Sequence, residues 1–376
     1  MLQSILPNNF GLQWDAIRES VIDATERVGR SGRLILGTEV ESFERELSNY
    51  WGISFAVGCA NGLDAIEIGL RSLEIKPGQK VLTTPLSAFA TTLAIFRSGG
   101  VPVFCDTDLS GLIDLELVED VLESDPEIKF LVPVHLFGHA LDLRELDRLN
   151  KQFELKIVED CAQSIGSRSF GKPTGSIGHV AATSFYPTKN LGCYGDGGAL
   201  LTNGELISER ARSIRDYGQT EKYLHSLMGL NSRLDELQAA ILRTALLPRL
   251  DLWTQKRRSI ANRYLKELSH PEIVALPLPE GSDSCWHLFP IRVLSDRNSF
   301  QVWLSKKGVY TGIHYPTLIN EQPIFKNGIA SNQYEIKTSL VQAKLITQQE
   351  VSLPIHPFLT DSEVSQVIEA CNSWRR

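Results

Sequence analysis

Between about residues 52 and 205, short runs of β-forming residues alternate with stretches of helical periodicity, and this alternation narrows the possible folds more than any other feature. FAVG at 55–58 leads into LDAIEIGLRSL, and KVLTT at 80–84 leads into a segment through Ile95. VPVFCD (101–106), KFLVPVH (129–135), LKIVED (155–160), VAATSF (180–185) and GALLT (198–202) continue the series. Connections long enough to hold a helix carry the chain back across a sheet, so most of these strands are expected to run parallel, with helices on both faces. The expected class is α/β. After about residue 250 the texture changes to a charged helix through IANRYLKEL, the β-rich WHLFPIRVL, a helix near FQVWLSKKG and a terminal helix DSEVSQVIEACNSW. That pattern predicts a large domain over residues 1–250 and a smaller α+β unit over 251–376, with a cleft between them as a natural place for a ligand.

The chain's 376 residues exceed the roughly 250–300 at which one core stops growing, in keeping with two units. Its 38 Lys and Arg face 45 Asp and Glu, a formal charge of −7. That balance argues against a nucleic-acid partner, because such proteins need excess positive charge toward phosphate. No apolar run approaches the roughly 18 residues of a spanning helix, so no membrane association is expected. MLQSILPNNFGLQW also lacks the basic-then-apolar order of a secretion signal, which points to the cytoplasm. Cys59, Cys105, Cys161, Cys193, Cys285 and Cys371 are scattered singly, so buried, reduced thiols are expected rather than a disulfide framework.

Three patterns invite a functional reading and fail it. Gly166 to Pro173 nearly matches the phosphate-cradling GxxxxGK[ST], but Pro173 supplies neither the hydroxyl nor the amide that the last position needs. His135 and His139 have the spacing of helical zinc ligands, yet KFLVPVH reads as a strand, Gly138 interrupts any helix, and no HExxH glutamate is present. No metal site is expected. Lys256, Arg257 and Arg258 form a basic run that in a helical pattern reads as a solvated face.

VEDCAQSIG (158–166) and SFYPTKNLGCYGDGGAL (184–200) are more informative. Asp160 directly follows an apolar strand, at the carboxyl edge where open parallel sheets bind ligands, although an Asp there also reads as a helix cap. Lys189 and Ser184 fall among glycines near the ends of two neighbouring strand patterns. An aldehyde cofactor needs an amine for a Schiff base, a carboxylate to keep a pyridine nitrogen protonated, and donors for a phosphate. Lys189, Asp160 and Ser184 fit that division of labour. Asn61 and Gly62 precede a helix whose free amides would favour an anion; taken alone, they read equally as a turn that caps it.

The chain resembles the sugar aminotransferases of the DegT/DnrJ/EryC1/StrS family, pyridoxal 5′-phosphate enzymes of fold type I, the aspartate aminotransferase fold. Eight blocks in order carry the resemblance: GRLILGTEVESFERELSNYWG (32–52), VGCANGLDAIEIGL (57–70), TTPLSAFATT (83–92), VHLFGH (134–139), the two blocks just described, GLNSRLDELQAA (229–240) and GIHYP (312–316). It implies Lys189 as the Schiff-base lysine, Asp160 as the partner of the ring nitrogen and Gln163 as donor to the ring oxygen. It implies Ser184, Asn61 and Gly62 at the phosphate, Phe89 against the ring face, and Asn231 reaching the phosphate from a second subunit, hence a homodimer with shared sites. Tyr186, His314 and Tyr315 would face the sugar, and Arg233, which could also pair with Asp235 or Glu236, its nucleotide. Members that remove a hydroxyl carry histidine where Lys189 stands, so the resemblance implies transamination, from L-glutamate to a keto sugar. ANGLDA is similar to the version in members that act at C3 of a dTDP-linked 3-keto-6-deoxyhexose. A 4-aminotransferase on a UDP- or dTDP-4-keto-6-deoxyhexose, or a regulator that binds the cofactor without turnover, remains open.

Overall fold

In a computed structural model, which describes residues 4–326 and 333–375, the alternation at 52–205 supplies seven strands of one eight-stranded sheet, whose eighth comes from Glu335–Ile336. Its order is Phe55–Cys59, Gly198–Thr202, Val180–Ser184, Lys156–Asp160, Phe130–Leu131, Lys80–Thr83, Val101–Phe104 and Glu335–Ile336. Gly198–Thr202 runs antiparallel to both neighbours, and the other pairings are parallel. Strand periodicity sends alternate side chains to opposite faces. Ala181, Ala199 and Leu201 join one core with the helices Phe10–Ser31 and Thr38–Trp51, while Val180, Ala182 and Leu200 join another under the helix Gly62–Ser72. A third core places Leu82, Val103, Leu131 and Ile157 against the helices Leu115–Ser124 and Leu143–Phe153. KFLVPVH is shorter as a strand than its β-rich run suggests: only Phe130–Leu131 is a regular strand, and Val134 makes an isolated bridge to Asp160.

Buried carboxylates tie distant segments together. The helix Thr38–Trp51 starts at Gly37 with no side-chain cap of its own. Glu236, 1% exposed, takes that part: its carboxylate accepts from the backbone N–H of Gly37 at 2.7 Å, Glu39 at 3.0 Å and Val40 at 2.9 Å. Glu159 accepts from the N–H of Gly175, Ile177 and Gly178 and from His135 Nε2 at 2.8 Å. Burial alone would push the Glu159 carboxyl up, but these donors leave it below its ordinary value.

Beyond residue 250, Ile273–Ala275, Phe289–Val293 and Glu350–Leu353 form an antiparallel sheet, covered by Arg297–Lys306 and Asp361–Asn372. Ile5 bonds to the backbone of Gly308 and Tyr310, so the start of the chain docks on this sheet's surroundings. Glu335–Ile336 returns to the edge of the large sheet. The basic run at 256–258 is not a solvated face. Arg257 is 6% exposed and donates to the carbonyls of Trp286, His287 and Ile355, because its place on Leu250–Glu267 aims it into the protein. Gly166 to Pro173 forms a hairpin of Arg168–Ser169 against Lys172–Pro173, with Gly171 at φ 81° in its turn. All six cysteines are free and buried. Among the described residues no helix is long and apolar enough to cross a membrane.

Candidate active site

The strands Lys156–Asp160 and Val180–Ser184 are neighbours, and their carboxyl ends bring Asp160 and Ser184 to one edge of the sheet. After Ser184 the chain folds back on itself. Lys189 N–H donates to the Tyr186 carbonyl at 2.8 Å, and Phe185 and Cys193 close the loop through backbone bonds. Phe185 anchors it by packing edge-on against Phe43, ring centres 5.4 Å apart. The glycines here answer to close approach. A Cβ on Gly62 would lie 2.6 Å from Ser184 Cβ, and one on Gly198 would lie 2.4 Å from the Asn61 carbonyl carbon. Asn61, Gly62 and Ser184 are thus brought together. Asn61 caps the helix, its Oδ1 accepting from Asp64 N–H at 2.8 Å, as the capping reading of this turn requires. The acids on that helix are neutralised: Arg97 pairs with Asp64 at 3.1 Å and with Glu67 at 2.7 Å.

Burial lowers the Lys189 ammonium to about 8, against the opposing pull of Asp160 and Cys285. An amine in that range is neutral often enough to act as a nucleophile or base. Asp160, 5% exposed, is pushed up by burial; Thr91 Oγ1 donates to its Oδ2 at 2.8 Å and Ala162 N–H to its Oδ1 at 3.1 Å, both pulling it down. Ser87 hydrogen-bonds Thr91 at 2.9 Å. The helix Phe89–Arg97 supplies Thr91 and also Phe89, whose half-buried ring meets Phe325 edge-on at 6.2 Å. Gln163 accepts from Phe137 N–H at 2.6 Å through Oε1, which turns its Nε2 toward the Tyr315 hydroxyl 3.4 Å away.

His314 and Tyr315 complete this neighbourhood. Burial and then Lys189 lower the His314 imidazole to about 4, while burial and then Asp160 raise the Tyr315 phenol. Tyr186 is exposed. Asn231 is exposed and pairs in backbone with Asp216; the next residue, Ser232, accepts from Ala60 N–H at 3.1 Å, beside Asn61. Arg233 pairs with Asp216 at 3.0 Å and lies over the Tyr217 ring, not with Asp235 or Glu236, because Glu236 is committed to the helix at Gly37. His135 and His139 flank a 3-10 turn, and both His135 nitrogens are taken, by Glu159 and by Leu141 N–H.

Sequence reasoning missed Thr91, Ser87, Glu350 and Ser352. Ser87 and Thr91 sit four residues apart inside TTPLSAFATT, a spacing that could have drawn attention to them. Glu350 and Ser352 alternate with Val351 and Leu353 in the strand EVSL, and polar residues in a strand followed by the apolar PI were the signal for them.

The model of the DegT/DnrJ/EryC1/StrS aminotransferase family matches residues 15–372. The chain belongs to this family. It is 38% identical over 363 residues to a dTDP-3-amino-3,4,6-trideoxy-alpha-D-glucose transaminase of Streptomyces venezuelae, covering 96% of this chain and 93% of that one. It is 36% identical to a pleiotropic regulatory protein of Geobacillus stearothermophilus, with 97% and 96% covered. The crystal structure of S. venezuelae DesV in complex with a ketimine intermediate superimposes with a TM-score of 0.92 at 37% identity, over 99% of this chain and 98% of that one. The fold is that of the pyridoxal-phosphate-dependent aminotransferases of this family, and the chain is a sugar aminotransferase. The site fits the cofactor: an amine near neutrality, a buried carboxylate with neutral donors, and a glycine cradle beside Ser184 that a Cβ would fill.

Proposed function

We propose that this sugar aminotransferase moves an amino group from L-glutamate to C3 of a dTDP-linked 3-keto-6-deoxyhexose, as a homodimer in the cytoplasm. The observation that carries the reading is Lys189, whose buried amine is lowered to about 8 at the same sheet edge as Asp160. Bound pyridoxal phosphate supplies an aldehyde for that amine and a ring that, protonated at nitrogen, draws electrons from the carbon bearing the amino group. Asp160 holds the proton on the ring nitrogen, and Gln163 Nε2 donates to the ring oxygen. Asn61, Gly62 and Ser184 bind the phosphate, and Phe89 flanks the ring. Once free, the Lys189 amine takes a proton from the substrate carbon and returns it on the other side of the transfer. Tyr186, His314, Tyr315 and Arg233 receive the nucleotide sugar.

The exposed apolar side chains of Tyr217, Tyr223, Leu224, Leu227 and Met228, just before Asn231, support a subunit interface through which Asn231 reaches the partner's phosphate. Residues 1–250 then form the cofactor-binding unit and 251–376 the smaller one, with Glu335–Ile336 lent to the large sheet. The Streptomyces relative's name favours C3. The Geobacillus relative's name keeps a regulatory reading in play. A panel of 3-keto and 4-keto dTDP- and UDP-sugars, each offered to the glutamate-charged enzyme, separates the three readings. Turnover of the 3-keto dTDP-sugar is expected. Turnover of 4-keto sugars alone refutes C3, and a cofactor-loaded protein that neither glutamate nor any other amino donor converts favours the regulatory reading.

A further inference from the structure

His314 sits among the groups around Lys189, and what stands behind it is unusual. Its Nδ1 lies 2.8 Å from Ser352 Oγ, and Ser352 Oγ lies 2.5 Å from Glu350 Oε1. The other oxygen of Glu350 accepts from the backbone N–H of His314 at 2.6 Å. Glu350 is fully buried and Ser352 is 2% exposed. Both belong to the strand Glu350–Leu353, and Gly312 pairs with Ser352, so the sheet holds the three groups in register. A buried carboxyl, a hydroxyl and an imidazole in line form a wire in which every hydrogen bond can reverse.

We propose that Glu350 and Ser352 are positioning residues that set which form of His314 Nε2, lone pair or N–H, is offered to the acceptor sugar. With Glu350 ionised, Ser352 donates to it and accepts from His314 Nδ1–H, which leaves Nε2 as a lone pair able to accept from a hydroxyl. With Glu350 protonated, the carboxyl donates to Ser352, Ser352 donates to Nδ1, and Nε2 carries the hydrogen and donates to a carbonyl oxygen. The two states differ by one proton, gained at Glu350, and the ring stays neutral in both.

The charges around the wire favour this order of titration. Burial raises Glu350 to about 7, opposed by Ser352, by His314 N–H and by Arg297. Burial and Lys189 hold His314 at about 4, so an arriving proton goes to the carboxyl before the ring. Arg297 spends its Nη1 on the carbonyls of Thr347 and Glu350 rather than on the carboxylate, and Arg292 lies opposite Glu350 in the strand pairing. His287, itself held well below its ordinary value by burial and by Lys189, also faces His314, and Tyr315 faces Glu350.

The role toward the sugar rests on the proposed function, but the relay can be read without sugar. In the holoenzyme labelled with 15N-histidine, His314 is assigned by the signal lost in His314→Asn, and its two nitrogens are followed between about pH 6 and pH 8, either side of about 7. The wild type is expected to pass from Nε2–H to Nδ1–H as the pH rises. Glu350→Gln should stay Nε2–H throughout, since its oxygen must face His314 N–H and its NH2 must then donate to Ser352. Ser352→Ala removes the link without touching the carboxyl and should also abolish the switch, which covers the case in which the glutamine variant does not fold. One tautomer across the whole range in the wild type, or switching that survives in either folded variant, overturns the relay. With the keto sugar, the kcat inflection near 7 should flatten in Glu350→Gln while KM stays within about threefold; an unchanged inflection overturns the role toward substrate and leaves the relay to the spectra.

Discussion

Replacing Thr91 by valine tests whether the Asp160 carboxylate depends on a neighbour that no motif identified. The two side chains have nearly the same shape, so the change removes one O–H donor and little packing. Asp160 has two such donors, Thr91 Oγ1 at 2.8 Å and Ala162 N–H at 3.1 Å, with Lys189 and His135 adding weaker electrostatic support. A hydrogen bond to a buried charge contributes about 1.5–3 kcal/mol, equivalent to about one to two pH units in the carboxyl's titration. The sign follows from burial. The native carboxyl already binds its proton more tightly than the unfolded one, so ionised Asp160 costs stability at high pH and nothing once it is protonated in both states. Thr91→Val raises the native value further. The apoenzyme should therefore lose about 1.5–3 kcal/mol at about pH 8, and the loss should shrink as the pH falls through the native titration of Asp160. Urea unfolding at fixed protein concentration measures it. Ser87 also loses its partner, at 2.9 Å, which adds a pH-independent cost, so Ser87→Ala with and without Thr91→Val isolates the ionic part. A loss that stays flat across the range would refute the claim that Thr91 acts on a charged Asp160.

Three further outcomes follow from the geometry. Uptake of pyridoxal phosphate by the apoenzyme should fall about tenfold per pH unit below about 8 and level off above it, since only the neutral Lys189 amine attacks the aldehyde; borohydride should then fix the label on Lys189, and a label elsewhere contradicts the assignment. Gly62→Ala would place a carbon 2.6 Å from Ser184 Cβ on a rigid strand, so affinity for pyridoxal phosphate should drop by an order of magnitude or more while that for unphosphorylated pyridoxal changes little; equal losses for both would dissociate this turn from phosphate. Glu236→Ala strips three backbone N–H groups of their acceptor and should cost on the order of 3 kcal/mol, seen as a lowered melting temperature; an unchanged one would mean that water takes over the cap.

The parts of the molecule legible in the sequence are those set by local periodicity. The strands at 80–83, 101–104, 156–160, 180–184 and 198–202 lie within the β-rich runs and that at 55–59 passes its run by one residue, because strands covered on both faces are mostly apolar along their length. Asp160 and Ser184 were legible for a related reason: a polar residue at the end of such a run stands at the sheet's carboxyl edge whatever else the chain does. Lys189 lies five residues past the strand, in a loop, and only its setting among glycines drew attention to it. Pairing across long distances was not. Nothing near Gly37 predicts that Glu236 caps its helix, and nothing near Asp160 says that Thr91 will donate to it. The basic run at 256–258 misled because a helix turns successive residues to different sides, and Arg257 faces three carbonyls while Lys256 faces solvent.

These distant pairings also explain how a chain of net charge −7 can serve an anionic cofactor and an anionic nucleotide. Several of its acids are not surface charge at all. Glu236 closes the helix that begins at Thr38, Glu159 holds the loop at 175–178, and Asp106 accepts from the N–H of Gln342 and Ala343 at the start of the helix Val341–Gln349. Each is a carboxylate set against backbone donors at a helix start or tight loop, where partial positive charge offsets it at short range. Asp64 and Glu67, the acids of the helix that begins at Gly62, are paired with Arg97. On the proposed function, a phosphate at Gly62 would meet the free amides of a helix N-terminus and the Ser184 hydroxyl, with the acids of that helix already paired. The field at the cradle is decided within the first few ångströms, and the formal charge of the whole chain has little influence there.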